Sequence, residues 1–173
     1  MGSNQTVELP QGVQELMSQT HNGSRVSRLW ALPLPMTAGD ADLDRPHLHF
    51  KVPATAAQLT ILRPCVRTWT KDIGMSRDMA GDVVLAVDEA LANAVEHAYA
   101  ETTSGAVVLF AACDRYSGSA RVIISDSGRW RPPPADPGTR GRGLPIMRQL
   151  SSAFSLRHDE AGTTVVLEWP VSP

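Results

Sequence analysis

Along the first 45 residues the apolar positions follow neither the two-residue period of a strand nor the 3.6-residue period of a helix. The one apolar patch there, Leu29, Trp30, Leu32 and Leu34, is broken by Pro33 and Pro35, so residues 1–45 read as a flexible arm of unknown role with a short segment able to dock. Order begins at residues 47–52, HLHFKV, where Leu48, Phe50 and Val52 alternate with polar positions and predict a strand. Pro53 ends it, and Thr55 with Gln58 has the form of a capping box for a first helix with Leu59, Leu62, Val66 and Trp69 inward and Gly74 as its stop. Pro64 falls inside that helix, where an unrelieved proline kinks the backbone at a cost of about 3 kcal/mol. Ser76 then caps a second helix, whose positions Val84, Val87, Leu91, Val95 and Ala98 recur at helical spacing.

The apolar run from Ala106 to Cys113 suits a buried central strand, and a turn at Tyr116-Ser117-Gly118 leads into its hairpin partner, Ala120 to Ser125. From Asp126 to Gly143 all periodicity is lost, a loop long enough to suggest a lid or a linker. A third helix from about Leu144 to Ser151, a strand through Phe154 and Leu156, and a last strand from Thr163 to Trp169 complete the chain. The order β-α-α-β-β-loop-α-β-β predicts an α+β fold: a two-layer sandwich with a mixed, mostly antiparallel sheet and helices on one face, spanning residues 46–173.

Three stretches carry candidate chemistry. On the second helix, at 100° per residue, Asn93 lies about 40° from Glu89 and His97 about 80°. With Glu96 they form a narrow polar stripe that is also what a solvated helix face looks like. Asp126 ends an apolar strand, where a carboxylate can accept from an exocyclic amine, and Gly128 would let backbone approach a ring closely; Asp-Ser-Gly is equally ordinary turn chemistry. Gly141-Arg142-Gly143 opens the third helix, where free N–H groups can bind phosphate, Pro145 is tolerated, and Arg140, Arg142 and Arg148 add positive charge. Alone, that pair of glycines is also what a hinge needs. Gly162-Thr163-Thr164 could lend a hydroxyl beside Asp126, or be a plain hairpin turn. His47 and His49 share a strand face without a third ligand nearby, so they read as ordinary exposed side chains.

The boxes Glu89-Ala-Leu-Ala-Asn93-Ala94-Val-Glu-His97-Ala98-Tyr99, Asp126-Ser-Gly128-Arg-Trp130, Gly141-Arg142-Gly143-Leu144-Pro145-Ile146-Met147 and Gly162-Thr163-Thr164 occur in this order on suitable elements. Together they resemble the ATP-binding (Bergerat) fold of the GHKL superfamily, most of all the small anti-sigma-factor serine kinases of bacterial partner-switching systems. The resemblance spans about residues 47–170. It implies ATP and Mg²⁺, with Glu89 as general base toward a serine hydroxyl and Asn93 as metal ligand. Asp126, Gly128 and Thr163 would lie at the adenine, and Gly141, Arg142, Gly143 and Leu144 at the phosphates. The loop between Asp126 and Gly143 would be an ATP lid, stiffened by Trp130 and by Pro132-Pro133-Pro134 relative to wider relatives. The implied activity is phosphorylation of an anti-anti-sigma (STAS-type) protein together with sequestration of a sigma factor; a homodimer is compatible. The alternative is a non-catalytic ATP-binding switch that holds a protein partner. The catalytic half of a histidine kinase is disfavoured, since no helical hairpin with a phospho-acceptor His is apparent in the first 45 residues.

Composition narrows this little. A net charge of −2 gives no electrostatic case for nucleic acid, and 42% hydrophobic residues suffice for a core without staples. Cys65 and Cys113 form no metal-type cluster and read as free or buried thiols; no apolar run suits a membrane span, so the expected location is the cytoplasm. The opening MGSNQT fits a lax myristoylation pattern at Gly2 and Thr6 of a kind that arises by chance.

Overall fold

The computed structural model describes residues 40–97, 105–128 and 142–171. In chain order these form β1 (Ala41–Asp42), β2 (Leu48–Pro53), α1 (Ala56–Asp72), α2 (Arg77–His97), β3 (Ala106–Asp114), β4 (Ala120–Asp126), α3 (Gly143–Leu150), β5 (Ala153–Asp159) and β6 (Gly162–Trp169). The element order matches the sequence expectation, with β1 added. Ala41 and Asp42, which the sequence reading assigns to the arm, pair with Asp114 and Cys113. Two residues are too few to express a period, so nothing in the pattern marks this strand.

The sheet runs β1-β3-β4-β6-β5, and β2 lies end to end with β1 along the same edge of β3. Every pairing is antiparallel, the limiting case of the mostly antiparallel sheet expected. Directly opposed residues share a face, so register sorts the side chains. Val107, Asp126 and Thr163 make one row, Leu109, Ile124 and Val165 the next, and Ala111, Val122 and Leu167 the third. These rows pack with Leu48, Phe50 and Val52 of β2, Leu62, Val66 and Trp69 of α1, and Val83, Val87 and Leu91 of α2 in one buried core. Each large aliphatic side chain so buried stabilises the fold by about 1.5–3 kcal/mol. Val84, Val87 and Leu91 are buried as the helical spacing predicts, and Val95 is half-buried. Cys65 and Cys113 are buried, free thiols.

The helix ends show which local signals act. Gly74 stops α1 in the left-handed region at φ +82°, with its N–H on the Lys71 carbonyl and the Met75 N–H on the Thr70 carbonyl, both at 3.0 Å. That pair of bonds is a Schellman motif. Ser76 caps α2 by accepting from the Met79 N–H at 3.3 Å. The capping box at Thr55 does not form. The Gln58 N–H that the Thr55 hydroxyl would serve donates instead to the Thr55 carbonyl at 3.0 Å, and Thr55 makes no side-chain cap. Helix α1 runs on through Pro64; the Thr60 carbonyl loses its helical donor there, but Thr60 is exposed and water can serve it.

Two indoles tie the layers together: Trp69 Nε1 donates to the Pro46 carbonyl at 2.8 Å and Trp169 Nε1 to the Leu150 carbonyl at 2.7 Å. Among the described residues no helix is long and apolar enough to cross a membrane.

Candidate functional site

The polar stripe of α2 meets the first turn of α3. Helix α3 begins at Gly143, one residue earlier than the periodicity suggests, and Arg142 is its N-cap with no side-chain cap bond. Its first helical bond runs from the Ile146 N–H to the Arg142 carbonyl at 3.0 Å. The N–H groups of Arg142, Gly143 and Leu144 precede that bond, and Pro145 has none, so three backbone donors at this end have no acceptor within the helix. Met147 is buried and Leu144 packs partly on the core, anchoring the turn from its apolar side.

Gly143 lies directly against the α2 stripe. A Cβ at this position would stand 2.9 Å from Glu89 Oε2, 3.1 Å from Asn93 Nδ2 and 3.5 Å from Asn93 Oδ1. One helix turn thus brings together a carboxylate, a carboxamide and a donor-rich helix end. Glu89 and Asn93 are half-buried while Glu96 is exposed, so the stripe divides as position on the helix predicts. Asp88, the neighbour of Glu89, is held by Arg63 Nε of α1 at 2.6 Å, which fixes this turn of α2 against α1.

Asp126 closes β4 on the face turned toward the helices. It is buried, and its Oδ1 accepts from the Gly128 N–H at 2.8 Å. Burial pushes its carboxyl above the ordinary Asp value, against the opposing hydrogen bonds from the Gly128 and Thr163 N–H groups. The turn reading and the ligand reading of Asp126 are compatible, since a carboxylate with two oxygens can hold two backbone donors and still present lone pairs. Thr163, its cross-strand partner, is buried beside it.

Gly162 belongs to this corner, where the sequence reading offers Gly162-Thr163-Thr164 either as a neighbour of Asp126 or as a plain hairpin turn. Its φ is +139°, and a Cβ there would overlap the carbonyl of Asp126. Only glycine lets β6 start this close to the end of β4. Gly162→Ala should therefore destabilise the fold by about 1–3 kcal/mol or more through backbone strain. Thermal unfolding of the two proteins checks this, with an unchanged midpoint as the contrary result.

The sequence-stated candidates divide as follows. Glu89, Asn93 and Gly143 are in mutual proximity, and Asp126, Gly128 and Thr163 form a second group at the end of β4. Arg142 is exposed at the start of α3. Gly141, Arg140, Trp130 and Pro132–Pro134 lie outside the described residues. Arg148 is corrected: it sits in the last turn of α3, its guanidinium 5.1 Å from the centre of the Phe154 ring, so it adds no charge at the phosphate-facing end. An eight-residue helix places residue 148 far from residue 143, and the ring offers its cation a face.

Among the described residues no group of three or more His, Cys, Asp or Glu could hold a metal ion. A cation here would instead rely on one side-chain oxygen, as Mg²⁺ does when phosphates and water fill its remaining positions. The Asn93 carboxamide beside the α3 end fits that donor set, and the missing Cβ of Gly143 is what lets Asn93 and Glu89 lie so close to that end.

The chain is similar to known proteins over most of its described length. The family profile of the histidine kinase-like ATPase domain matches residues 52–169. The chain is 24% identical over 137 residues to serine-protein kinase RsbW of Bacillus cereus (strain AH820), covering 70% of this chain and 84% of the relative. It is 23% identical over 137 residues, with the same coverage, to serine-protein kinase RsbW of Bacillus thuringiensis (strain Al Hakam). Among solved structures it is similar to the RsbU and RsbW domains of Rv1364c from Mycobacterium tuberculosis, with a TM-score of 0.61 and 32% identity over 74% of this chain. This chain spans 33% of that longer one.

Proposed function

The chain belongs to the histidine kinase-like ATPase domain family, and from that premise we propose that it is an ATP-dependent serine-protein kinase and anti-sigma factor. Its substrate would be a serine of an anti-anti-sigma (STAS-type) partner, and it would also sequester a sigma factor. The observation that carries the reading is the contact of Gly143 with both Glu89 and Asn93 at the open end of α3.

In this scheme Glu89 takes the proton from the incoming serine hydroxyl as its oxygen bonds to the γ-phosphorus, and ADP leaves. Asn93 would hold Mg²⁺ through its side-chain oxygen, and the ion would neutralise phosphate charge. The N–H groups of Gly143 and Leu144 bind phosphate oxygens, favoured by the positive end of the helix dipole, with Arg142 and Gly141 completing that cradle. Asp126 accepts from the exocyclic amine of adenine, with Thr163 and Gly128 beside it. The names of the RsbW relatives, serine-protein kinases, support the reaction class.

The raised Asp126 carboxyl gives two pH effects of opposite sign. Its proton is bound more tightly folded than unfolded, so its contribution to stability is full below the unfolded Asp value and is lost as pH rises through the raised folded value. Adenine recognition by the carboxylate changes the other way, weakening as acid protonates the group. On acidification wild type should gain stability relative to Asp126→Asn while its ATP affinity falls. Parallel unfolding and ATP titrations across acidic pH check both signs.

The direct test is transfer of labelled γ-phosphate from ATP to a serine of a STAS-type protein. Incorporation, lost when the acceptor serine becomes alanine, is expected. ATP binding without transfer to any such partner would instead assign the chain to the non-catalytic, nucleotide-dependent switches.

A further inference from the structure

Helix α2 is held on three sides. It meets α1 through Asp88 and Arg63, α3 through Glu89 and Asn93, and the sheet through Val83, Val87 and Leu91. At 100° per residue Leu85 projects between the first two contacts, about 60° around the axis from Asp88 and about 40° from Glu89. It lies on the fourth side, and it is 47% exposed. One exposed leucine is ordinary on a protein surface. What sets this one apart is its place. It stands one helical turn from Glu89, so the two side chains are neighbours on one face, with Cβ atoms about 6 Å apart.

Gly81, a further turn from Glu89 on the same side, is an independent observation. It is exposed in the interior of α2, and a Cβ there would meet nothing within 4 Å. Glycine is the poorest helix former after proline, and no contact among the described residues requires it here. A missing side chain beside an exposed leucine suits close approach by another backbone.

A serine hydroxyl that reaches Glu89 arrives on a protein surface, and three sides of α2 are already taken. Resting on the kinase reading of Glu89, we propose that Leu85 and Gly81 form the docking contact for the acceptor segment of the protein substrate. Leu85 selects an apolar side chain two residues from the serine. In an extended segment every second side chain faces the same way, about 6.7 Å along the strand, and that spacing matches the step from Glu89 to Leu85. Asp78 and Asp82 are exposed further along the same helix, so beyond the apolar side chain the segment carries basic residues and not acidic ones.

The test is transfer of labelled phosphate from ATP by the full chain to a STAS-type protein, with KM for that protein, kcat, ATP affinity and melting temperature read separately. Burial of a leucine side chain is worth enough to move KM about tenfold. Leu85→Ala should therefore raise KM by about that factor and leave the other three quantities unchanged. Gly81→Gln should raise KM at least as much while the melting temperature holds or rises, since glutamine is the better helix former. Lys51→Gln, exposed on the sheet face away from the helices, should match wild type. In the partner, alanine in place of the apolar side chain two residues from the serine should raise KM similarly for wild type and add little for Leu85→Ala.

Unchanged KM in both α2 variants of an active enzyme would overturn the docking contact and leave the kinase reading standing. A raised KM accompanied by lost ATP affinity or a lower melting temperature would overturn it too, as damage to the helix. If wild type binds the partner without transfer, the kinase reading fails, and the same variants decide the contact through the Kd of the partner. A changed oligomeric state in Leu85→Asp, with KM unchanged, would give this face to a second copy of the chain instead.

Discussion

Glu89→Ala is expected to keep ATP binding close to wild type while lowering phosphotransfer to the partner serine about 10²–10⁴-fold, the usual contribution of a positioned general base. The separation of the two effects follows from where Glu89 sits. Its carboxylate reaches the open end of α3 at Gly143, whereas the group proposed to read adenine, Asp126, is on β4. Removal of the carboxylate leaves the α3 donors, Asn93 and Asp126 in place. Single-turnover transfer of labelled phosphate, run beside a calorimetric ATP titration, measures both quantities. Unchanged transfer would remove Glu89 from the base role, and lost ATP binding would recast it as a binding residue.

Gly143→Ala should lower phosphotransfer by about 10²-fold, the scale on which a misplacement near 1 Å acts, without weakening the fold. The added methyl would press on the ends of two side chains, Glu89 at 2.9 Å and Asn93 at 3.1 Å, and not on backbone. Those ends can swing aside, so the fold tolerates the change, and alanine is about 1 kcal/mol better than glycine in a helix interior, a preference that partly carries over to this first turn. The same swing moves the proposed base and metal ligand off their positions. A melting temperature equal to or above wild type, together with reduced transfer, is the expected pair of results. Full activity would mean that the contact does not position either group.

Where a feature depends on local periodicity or on one residue's backbone preference, the sequence states it well. The alternation of Leu48, Phe50 and Val52, the buried stripe of α2, the Gly74 stop and the Ser76 cap all appear where local physics puts them. Family membership is equally legible: the chain belongs to the histidine kinase-like ATPase domain family, within the superfamily that the four boxes resemble.

Features settled by competition within one turn or by tertiary contact are not legible. At Thr55 the residue's own carbonyl takes the N–H that a capping box requires. Gly162 is dictated by the Asp126 carbonyl across a strand pair, and no sequence window contains both. Arg148 joins the nearby arginines in sequence, but the ring of Phe154 draws it to the other end of α3. Strand β1 is held by edge pairing to β3, seventy residues on, with no pattern of its own. The burial of Arg121 is likewise a property of the assembled sheet face, which the apolar run beside it does not announce.

The most direct test of the account is ATP–Mg²⁺ titration of wild type against Asp126→Asn. Asparagine keeps the size of the side chain, but its one oxygen is taken by the Gly128 and Thr163 N–H groups, which leaves its NH2, a donor, toward the exocyclic amine. Loss of a hydrogen bond to a charged group is worth about 1.5–3 kcal/mol, so affinity should fall by about 10- to 100-fold while the protein remains folded. Equal affinity in the two folded proteins would contradict the placement of adenine at Asp126, and with it the nucleotide site.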